Sequence, residues 1–239
     1  MAGKAAVGST QIQKIAVGAT NLKKISIGSV EVWSGVEQLV EEWDSIDPAL
    51  WTRTVDPGGS GQMLVASSGL LQAPGVTAWS TRNRAWVISK KRYPTPYGKW
   101  AVRMGSSYNT GLSTLIGLST DVNGSEGLAF QMVYNSCILV YRGNSSQNGT
   151  TLGSWSYGYN TNAWVIVERT ESSVYRVSFD GGSTWPISYN DPDRIGEQEH
   201  LGYIGCGIES DQNFFGTKGY GGPIDRFKYT NDPTENITS

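Results

Sequence analysis

An aromatic run at 155–159 holds the residues best suited to contact a ligand. Trp155, Tyr157 and Tyr159 alternate along the chain, so an extended strand or loop would place three rings on one side. Flat rings stack on the C–H faces of sugars, while Tyr hydroxyls hydrogen-bond to sugar hydroxyls. Because aromatic residues spaced by two also occur in cores and cross-strand pairs, core packing is the alternative. Tyr108 is a further candidate for glycan contact on similar grounds.

Nucleophilic and zinc chemistry find little support in the sequence. His200 is the single histidine, which weighs against zinc sites built from several histidines and leaves one possible base for a Ser-His or Cys-His pair. Cys137 and Cys206 lie in apolar, strand-like contexts without the flanking sequence of a nucleophile. We expect them to be two buried free thiols of a protein made in a reducing cytoplasm, with one disulfide as the alternative.

Oxygen-rich and basic positions give two further hypotheses. Residues 190–193, Asn-Asp-Pro-Asp, offer enough oxygen atoms for a calcium ion, but their spacing is not diagnostic. We therefore expect no cofactor, with calcium as the remaining option. Arg82, Arg84 and Arg142 could bind an acidic sugar, although exposed and solvated arginines are more common.

Charge and hydropathy patterns argue against two classes of partner. The net charge is −2 with acidic and basic residues interspersed, so the chain lacks the basic stripe that nucleic-acid binding requires. Residues 1–14 lack the apolar core of a secretory signal, and no run approaches the ~18 apolar residues of a membrane span. We expect neither nucleic-acid binding nor membrane insertion.

The clearest pattern of a regular element lies at 162–185. The hairpin that it predicts must pack against much of the surrounding chain. Apolar and polar residues alternate over 164–168 and again over 174–179, which predicts two antiparallel strands. Asp180-Gly181-Gly182 supplies residues for a tight turn after the second of these strands. The same turn matches the Asp-box pattern Ser-x-Asp-x-Gly-x-Thr-Trp, in which Asp180 accepts backbone N–H bonds, so we assign it a structural role.

Composition places the whole chain in the all-β class. Thirty glycines, nine tryptophans and twelve tyrosines, with little helical periodicity, favour strands and turns. About a dozen short strand candidates separated by turn clusters predict a sandwich or jelly roll. Residues 34–43 stay ambiguous between a one-turn helix opened by a capping box and a first strand.

The N-terminal segment carries a threefold repeat with a period of ten. Its units are Val7-Gly8-Ser9-Thr10, Val17-Gly18-Ala19-Thr20 and Ile27-Gly28-Ser29-Val30. The repeat predicts short strands joined by tight turns. Because residues 1–35 have too little apolar area to fold alone, they must pair with copies of themselves, with another protein or with the main domain. The domain boundary is predicted near Gly35, with residues 36–239 as the second domain.

Motifs along the second domain resemble the concanavalin A-like lectin/glucanase family of jelly-roll sandwiches. The order of the YGKWAVRM strand at 97–104, the WVIVERT and YRVSFDGG strands, and IDRFKYT at 224–230 carries the likeness. Glucanases of this family bear Glu-x-Asp-x-x-Glu on a central strand, because retaining hydrolysis needs two carboxylates about 5 Å apart. The matching strand here keeps Glu126 but has Leu128 and Gln131 at the other positions, so two carboxylates cannot be assembled from it and we expect no catalysis. Glu126 and Gln131 are candidates for glycan contact, with a solvated glutamate at the strand end as the alternative for Glu126.

The repeat segment ending in Val32-Trp33 is similar to segments that precede such domains in minor tail proteins of tailed phages, notably those of actinobacterial hosts. This resemblance implies a virion tail protein, made in the host cytoplasm, whose residues 1–35 contact other tail proteins. It also implies a homo-oligomer, with a trimer favoured. The implied function is non-catalytic binding of a host cell-surface glycan. A cell-wall glycan hydrolase and a purely architectural tail decoration are the alternatives.

Overall fold

The chain folds as an antiparallel β-sandwich, and the structure is a computed structural model. It describes residues 37–56, 62–73, 82–93, 97–105, 112–119, 121, 123, 126–133, 135–142, 149–170, 173–191, 202–232 and 234–238, together with the backbone of four short strands before residue 34. Every regular element among these residues is a β-strand. The strands are β1 Ala16–Val17, β2 Thr20–Asn21, β3 Ile25–Ile27, β4 Val30–Trp33, β5 Gln38–Glu41, β6 Trp51–Val55, β7 Val65–Ser67, β8 Leu70–Gln72, β9 Asn83–Ser89, β10 Gly98–Met104, β11 Thr114–Ser119, β12 Gly127–Val133, β13 Ser136–Arg142, β14 Thr150–Trp155, β15 Trp164–Arg169, β16 Val174–Ser178, β17 Ile187–Asn190, β18 Tyr203–Gln212, β19 Lys218–Tyr220 and β20 Ile224–Thr230.

Two eight-stranded sheets form the sandwich. Sheet I has the order β17-β16-β15-β10-β20-β8-β7, with β5 also paired to β20. Sheet II has the order β14-β13-β12-β11-β18-β9-β6, with β19 also paired to β18. Neighbouring strands in both sheets are antiparallel, and central pairs such as β10–β20, β11–β18 and β9–β18 join strands that are far apart in sequence. The predicted all-β jelly-roll class is confirmed.

One apolar core fills the space between the sheets, because strand alternation sends every second side chain inward. Sheet II contributes Leu128 and Phe130 on β12, and sheet I contributes Trp100 on β10 and Tyr175 on β16. A void of about 10 Å³ remains beside these four side chains. Its lining is mainly apolar, and it is too small to hold a sugar.

The hairpin at 162–185 forms as the sequence predicts. β15 and β16 pair in register from Ile166 opposite Ser178 to Arg169 opposite Tyr175. Gly181 and Gly182 adopt φ of +72° and +94°, a conformation that glycine reaches without steric cost.

The Asp-box turn is fixed by its own side chains, so the structural role assigned to it is confirmed. The Asp180 carboxylate accepts hydrogen bonds from the Thr184 hydroxyl at 2.7 Å and the Thr184 backbone N–H at 2.9 Å. These bonds, with one from the Ser178 hydroxyl, lower the pKa of Asp180 to about 2.

The ambiguous stretch before Trp43 is a strand. β5 pairs with β20 at the edge of sheet I, with Leu39 opposite Tyr229. The hypothesis of a capped one-turn helix is therefore wrong for residues 38–41, since backbone partners on β20 take up the hydrogen bonds that a helix would make within itself.

Two separate hairpins precede the sandwich and match the decameric repeat. β1 pairs with β2 around the two residues at 18–19, and β3 pairs with β4 around those at 28–29. The residues between the paired strands, 18–19 and 28–29, lie outside the described residues. The first repeat unit, at 7–10, lies outside the described residues.

Candidate functional site

The side of sheet II that faces away from sheet I carries the densest set of buried polar groups. Strand alternation defines this outer face of sheet II, and its apolar members form a cluster separate from the core between the sheets. Trp86 on β9, Leu115 on β11 and Ala129 on β12 belong to that cluster and are at most 2% exposed. A buried second face is unusual for an antiparallel sheet, whose second side normally meets water.

A transverse row of paired residues crosses the outer face of sheet II. Cross-strand pairing places Gln131 opposite Leu115, Leu115 opposite Gly207, and Gly207 opposite Trp86. Directly paired residues point to the same face of a sheet. The Gln131 carboxamide and the Trp86 indole therefore lie on one surface, with Gly207 in the row between them.

Glycines form a floor in this row and in the rows beside it. Gly117, Gly127, Gly205 and Gly207 lie on the central strands β11, β12 and β18, and an added Cβ on each would meet a backbone oxygen of the neighbouring strand. For Gly117 and Gly205 that distance would be 2.5 Å, far below a normal contact. The strands therefore approach one another so closely here that only glycine fits, and Gly117 remains partly exposed.

A buried ion pair stands beside this floor. Arg84 Nε and Glu209 Oε1 are 2.5 Å apart, and their side chains are 3% and 1% exposed. Glu209 Oε2 also accepts a hydrogen bond of 2.9 Å from the Ser113 backbone N–H. Trp86 Nε1 donates to Asp56 Oδ1 at 3.0 Å, and the Asp56 backbone N–H donates to the Arg84 carbonyl. The sequence-based expectation that Arg84 is solvated is wrong, because its cross-strand partner is this buried carboxylate.

Two donors on the outer face of sheet II have no hydrogen-bond acceptor among the described residues. They are Arg84 Nη1 and Gln131 Nε2, and Gln131 is 7% exposed. Buried donors in folded proteins are nearly always paired, because an unpaired one costs about 1–3 kcal/mol. A ligand with hydroxyl or carboxylate oxygens would satisfy such donors once neighbouring side chains move aside, since both atoms are buried.

Glu126 and Gln131 hold different places relative to β12. β12 pairs with both neighbours without a bulge, so Leu128 points into the core and Gln131 points outward. Glu126 comes just before the first residue of β12, so strand alternation does not set the direction of its side chain. Both residues stay predicted ligand contacts.

The three rings of the aromatic run do not share one surface. Tyr159 is 1% exposed and lies in the core against Gly222, so its assignment as a glycan contact is wrong. Trp155, the last residue of β14, packs edge-on against Tyr189 at the border of the two sheets. Tyr157 is 48% exposed and stacks on Phe179 at 14°. The alternation ends with β14, and only Tyr157, with part of Trp155, stays available as a predicted contact.

Several predicted positions lie outside the described residues or give no cluster. Tyr108, His200 and Asp193 are outside them. Within the described ranges no three His, Cys, Asp or Glu side chains come together as metal ligands. Likewise, no helix in the described part of the chain is long and apolar enough to cross a membrane.

Cys137 and Cys206 are free and fully buried, as expected. They lie on β13 and β18, which β12 and β11 separate, so roughly 14 Å of sheet lies between them and a disulfide cannot form. Burial raises the pKa of Cys137 to about 12 and raises that of Cys206 as well, so neither thiol is a reactive nucleophile.

A second charged cluster lies on the opposite side of the sandwich, on the outer face of sheet I. Glu168 on β15 accepts hydrogen bonds of 2.9 Å from both the Tyr97 hydroxyl and Arg176 Nε. Burial and the neighbouring Glu168 carboxylate raise the pKa of Tyr97. The Arg176 guanidinium lies 4.9 Å from the centre of the Trp185 ring and is 41% exposed. Both oxygens of Glu168 have partners, so this cluster stabilises the sheet and leaves nothing for a ligand.

Comparison with known proteins identifies the fold. No protein-family model matches the sequence, and no curated protein matches it. A Bacillus licheniformis β-glucanase superposes with a TM-score of 0.54 at 14% identity, over 80% of this chain and 97% of that one. A structure from work on the endo-acting O-glycanases with which human gut microbiota initiate mucin breakdown gives 0.54 at 11% identity, over 81% and 98%.

A sugar-bound domain is similar to nearly the same degree. The exoplasmic/lumenal domain of VIP36, bound to Ca²⁺ and Man3GlcNAc, gives a TM-score of 0.51 at 12% identity, covering 83% of this chain and 89% of that one. At such identities the likeness shows the fold alone. The sandwich is thus a concanavalin A-like jelly roll of the lectin/glucanase type.

Proposed function

We propose that the sandwich binds a glycan on the outer face of sheet II and does not cleave it. The observation that carries this proposal is the pair of unsatisfied donors, Arg84 Nη1 and Gln131 Nε2, on the same face as a glycine floor. Sugar hydroxyls and carboxylates are acceptors that such donors bind, and glycine lets a flat ring approach the sheet backbone closely. The likeness to a lectin and to two glycanases supports the same class of ligand.

The proposed lack of hydrolysis rests on the arrangement of acids. Glu209 is the carboxylate on this face that strand pairing places nearest the floor, and both its oxygens already have partners in Arg84 and the Ser113 N–H. A retaining hydrolase needs a second carboxyl group about 5 Å away, and Gln131 carries an amide instead. A reducing-end assay on β-glucans and purified cell wall tests this: release of sugar by the wild-type protein above a buffer control would establish the hydrolase alternative.

The N-terminal hairpins give the protein its proposed place in a phage tail. Each hairpin, β1–β2 and β3–β4, is a two-stranded sheet of its own, so its outer edges can accept a strand from a copy or from another tail protein. We infer that residues 1–35 make these contacts within a virion tail and that the homo-oligomer is a trimer. The sandwich then presents its glycan site to the host surface.

Binding is tested with the full chain on an array of bacterial and host-type glycans, followed by calorimetry on the best ligand. Gln131→Ala removes one hydrogen bond to the ligand, worth about 1 kcal/mol, and should weaken binding roughly fivefold. The matched control is Arg226→Ala on sheet I, whose ion pair with Glu42 is solvent-exposed. Equal affinity of Gln131→Ala and the wild type would remove the site from this face.

Assembly is tested by light scattering on the full chain and on residues 36–239. We expect a trimer from the full chain and a monomer from the shorter fragment, because the hairpins are absent from it. A fragment that forms the same oligomer would place the assembly surface on the sandwich.

A further inference from the structure

The most exposed large apolar side chains of the described part lie at the tip of one hairpin. The tip, residues 213–217, joins β18 to β19 at the end of sheet II. Phe214 is 74% exposed and Phe215 is 88% exposed, whereas the other large apolar side chains of the described ranges reach at most 56%. Scattered exposed hydrophobic residues are normal, but two adjacent and nearly fully exposed phenylalanines form a patch that calls for a partner.

The backbone of the tip is held in one conformation. The Asn213 side-chain carbonyl accepts hydrogen bonds from the Phe215 N–H at 3.0 Å and the Thr217 N–H at 2.9 Å. The Asn213 N–H donates to the Thr217 carbonyl, and the Gly216 N–H donates to the Asn213 carbonyl. Gly216 has a φ of +79°, which closes the turn. The two phenyl rings are therefore presented by a fixed turn and lose little backbone entropy on binding.

The same bonds lower the cost of leaving water. Peptide groups that enter an apolar phase without a partner cost several kcal/mol each, and this excludes irregular backbone from lipid. In this tip the N–H groups of Asn213, Phe215, Gly216 and Thr217 are already satisfied within the turn. No acidic side chain occurs at 213–218, so no carboxylate has to be desolvated either.

The ring geometry does not suit a flat sugar. The Phe214 and Phe215 rings are 5.6 Å apart at an interplanar angle of 85°. Two perpendicular rings on a convex turn cannot both lie against one sugar face, and phenylalanine has no polar group with which to fix a hydroxyl. A wedge of this shape fits a soft apolar phase that closes around it.

We propose that the β18–β19 tip inserts Phe214 and Phe215 into the interfacial region of a lipid bilayer. The contact is peripheral: the tip enters to the depth of two side chains while the sandwich stays in water. The sequence-based expectation of no membrane insertion relied on the lengths of apolar runs, and a pair of residues on a turn gives no signal in such a measure. A membrane contact of this kind would hold the glycan site close to a cell surface.

The test is flotation of the full chain with vesicles of phosphatidylcholine, and of phosphatidylcholine with phosphatidylglycerol, in about 0.1 M and about 1 M salt. We expect binding that survives high salt, because apolar insertion is not screened. The double variant Phe214→Ser/Phe215→Ser should reduce the partition coefficient at least tenfold and keep the wild-type Tm, since both rings are exposed. Phe214→Leu/Phe215→Leu should retain most of the binding, because leucine is apolar but cannot stack.

The matched control is Val40→Ser, which removes another exposed apolar side chain, 56% exposed, from β5. It should bind vesicles as the wild type does. The proposal is overturned if the full chain fails to float with either vesicle, or if the serine and leucine double variants bind equally well. It is also overturned if vesicle binding is absent and the tip instead binds a protein pocket, seen as a complex that the serine variant loses.

Discussion

The outer faces of the two sheets each carry a cross-strand glutamate–arginine pair, and the two pairs are built differently. On sheet I, Glu168 has partners for both oxygens, and Arg176 is 41% exposed and lies against an indole ring. On sheet II, Glu209 and Arg84 are both almost fully buried, and Arg84 Nη1 has no acceptor in the described part of the chain. The first arrangement is complete in itself, while the second leaves a donor unsatisfied.

The surroundings of the two ion pairs also differ: one is covered and the other is partly open. The outer face of sheet I is closed by the end of the chain, where Ile237 packs on Ala101 and Ile166. The outer face of sheet II instead has a glycine floor with a partly exposed centre at Gly117. Folding alone favours satisfied groups, because a desolvated ion pair with a spare donor stabilises less than apolar packing would. The difference therefore favours a stabilising role for sheet I and a binding role for sheet II.

The largest effect should come from breaking the buried pair. Glu209→Gln removes the negative charge beside Arg84 and leaves a buried, unpaired guanidinium, so the free energy of unfolding should fall by about 3–5 kcal/mol. Glu168→Gln should cost only about 1–2 kcal/mol, because Arg176 can remain in water. Urea unfolding of both variants at constant m-value measures the difference. Equal losses would show that the two pairs contribute alike to stability.

The double variant Arg84→Met/Glu209→Leu controls for a variant that simply misfolds. Replacing both buried charges with apolar side chains of similar size should restore most of the lost stability, as buried ion pairs often allow. Glycan binding should be lost in this variant, because the spare donor is gone. Recovery of stability together with wild-type binding would contradict the assignment of Arg84.

The glycine floor should be the next most sensitive feature. Gly117→Ala places a Cβ 2.5 Å from the Leu128 carbonyl oxygen, so the strands must separate at a cost of about 1–3 kcal/mol. Its direct cross-strand partner is Ala129, and the reverse change Ala129→Gly should cost about 0.5–1 kcal/mol. Thermal unfolding of the two variants compares them. A neutral Gly117→Ala would mean that the strands are not held close together.

The fold could be predicted because the central strands have a clear pattern of apolar residues in the sequence. β10, β12 and β15 alternate or run apolar for their whole length, since one or both faces are buried. β6, β14 and β17 give no such signal because they contain mainly polar or partly exposed residues at sheet edges, where alternation is weak.

The candidate site was mostly beyond the reach of the sequence. A family motif points to Gln131, but nothing comparable marks Glu209, although Tyr203, Gly205, Gly207 and Glu209 alternate along β18 as outward positions do. Burial of a charged residue depends on which strands become neighbours, and β18 meets β9 and β11 across more than 80 residues of chain. The prediction for Tyr159 is wrong for a local reason: the strand ends at Trp155, so the period of two no longer sets the direction of later rings.

A smaller effect is expected from the Asp-box hairpin of sheet I. The folded pKa of Asp180 is about 2, below its ordinary value of 3.8, so the carboxylate stabilises the fold above about pH 4, and this stabilisation is lost as the pH falls towards 2. Asp180→Asn should lower Tm by a few degrees at pH 7, and the gap to the wild type should close as the pH approaches about 2. A gap of constant size would show that hydrogen-bond geometry, and not charge, holds the turn.

The smallest change in stability is predicted for Tyr157→Ala. This variant also tests most directly whether the glycan binds on the outer face of sheet II. Tyr157 is 48% exposed and stacks on one side only, so its removal should cost about 0.5 kcal/mol of unfolding free energy. If the glycan lies on the outer face of sheet II, calorimetry should give wild-type affinity for Tyr157→Ala and reduced affinity for Gln131→Ala. The opposite result, about fivefold weaker binding for Tyr157→Ala alone, would move the site to the border between the sheets beside Trp155 and Phe179. In that case the unsatisfied donors of sheet II would need another explanation, and the distinction between the two outer faces would concern stability only.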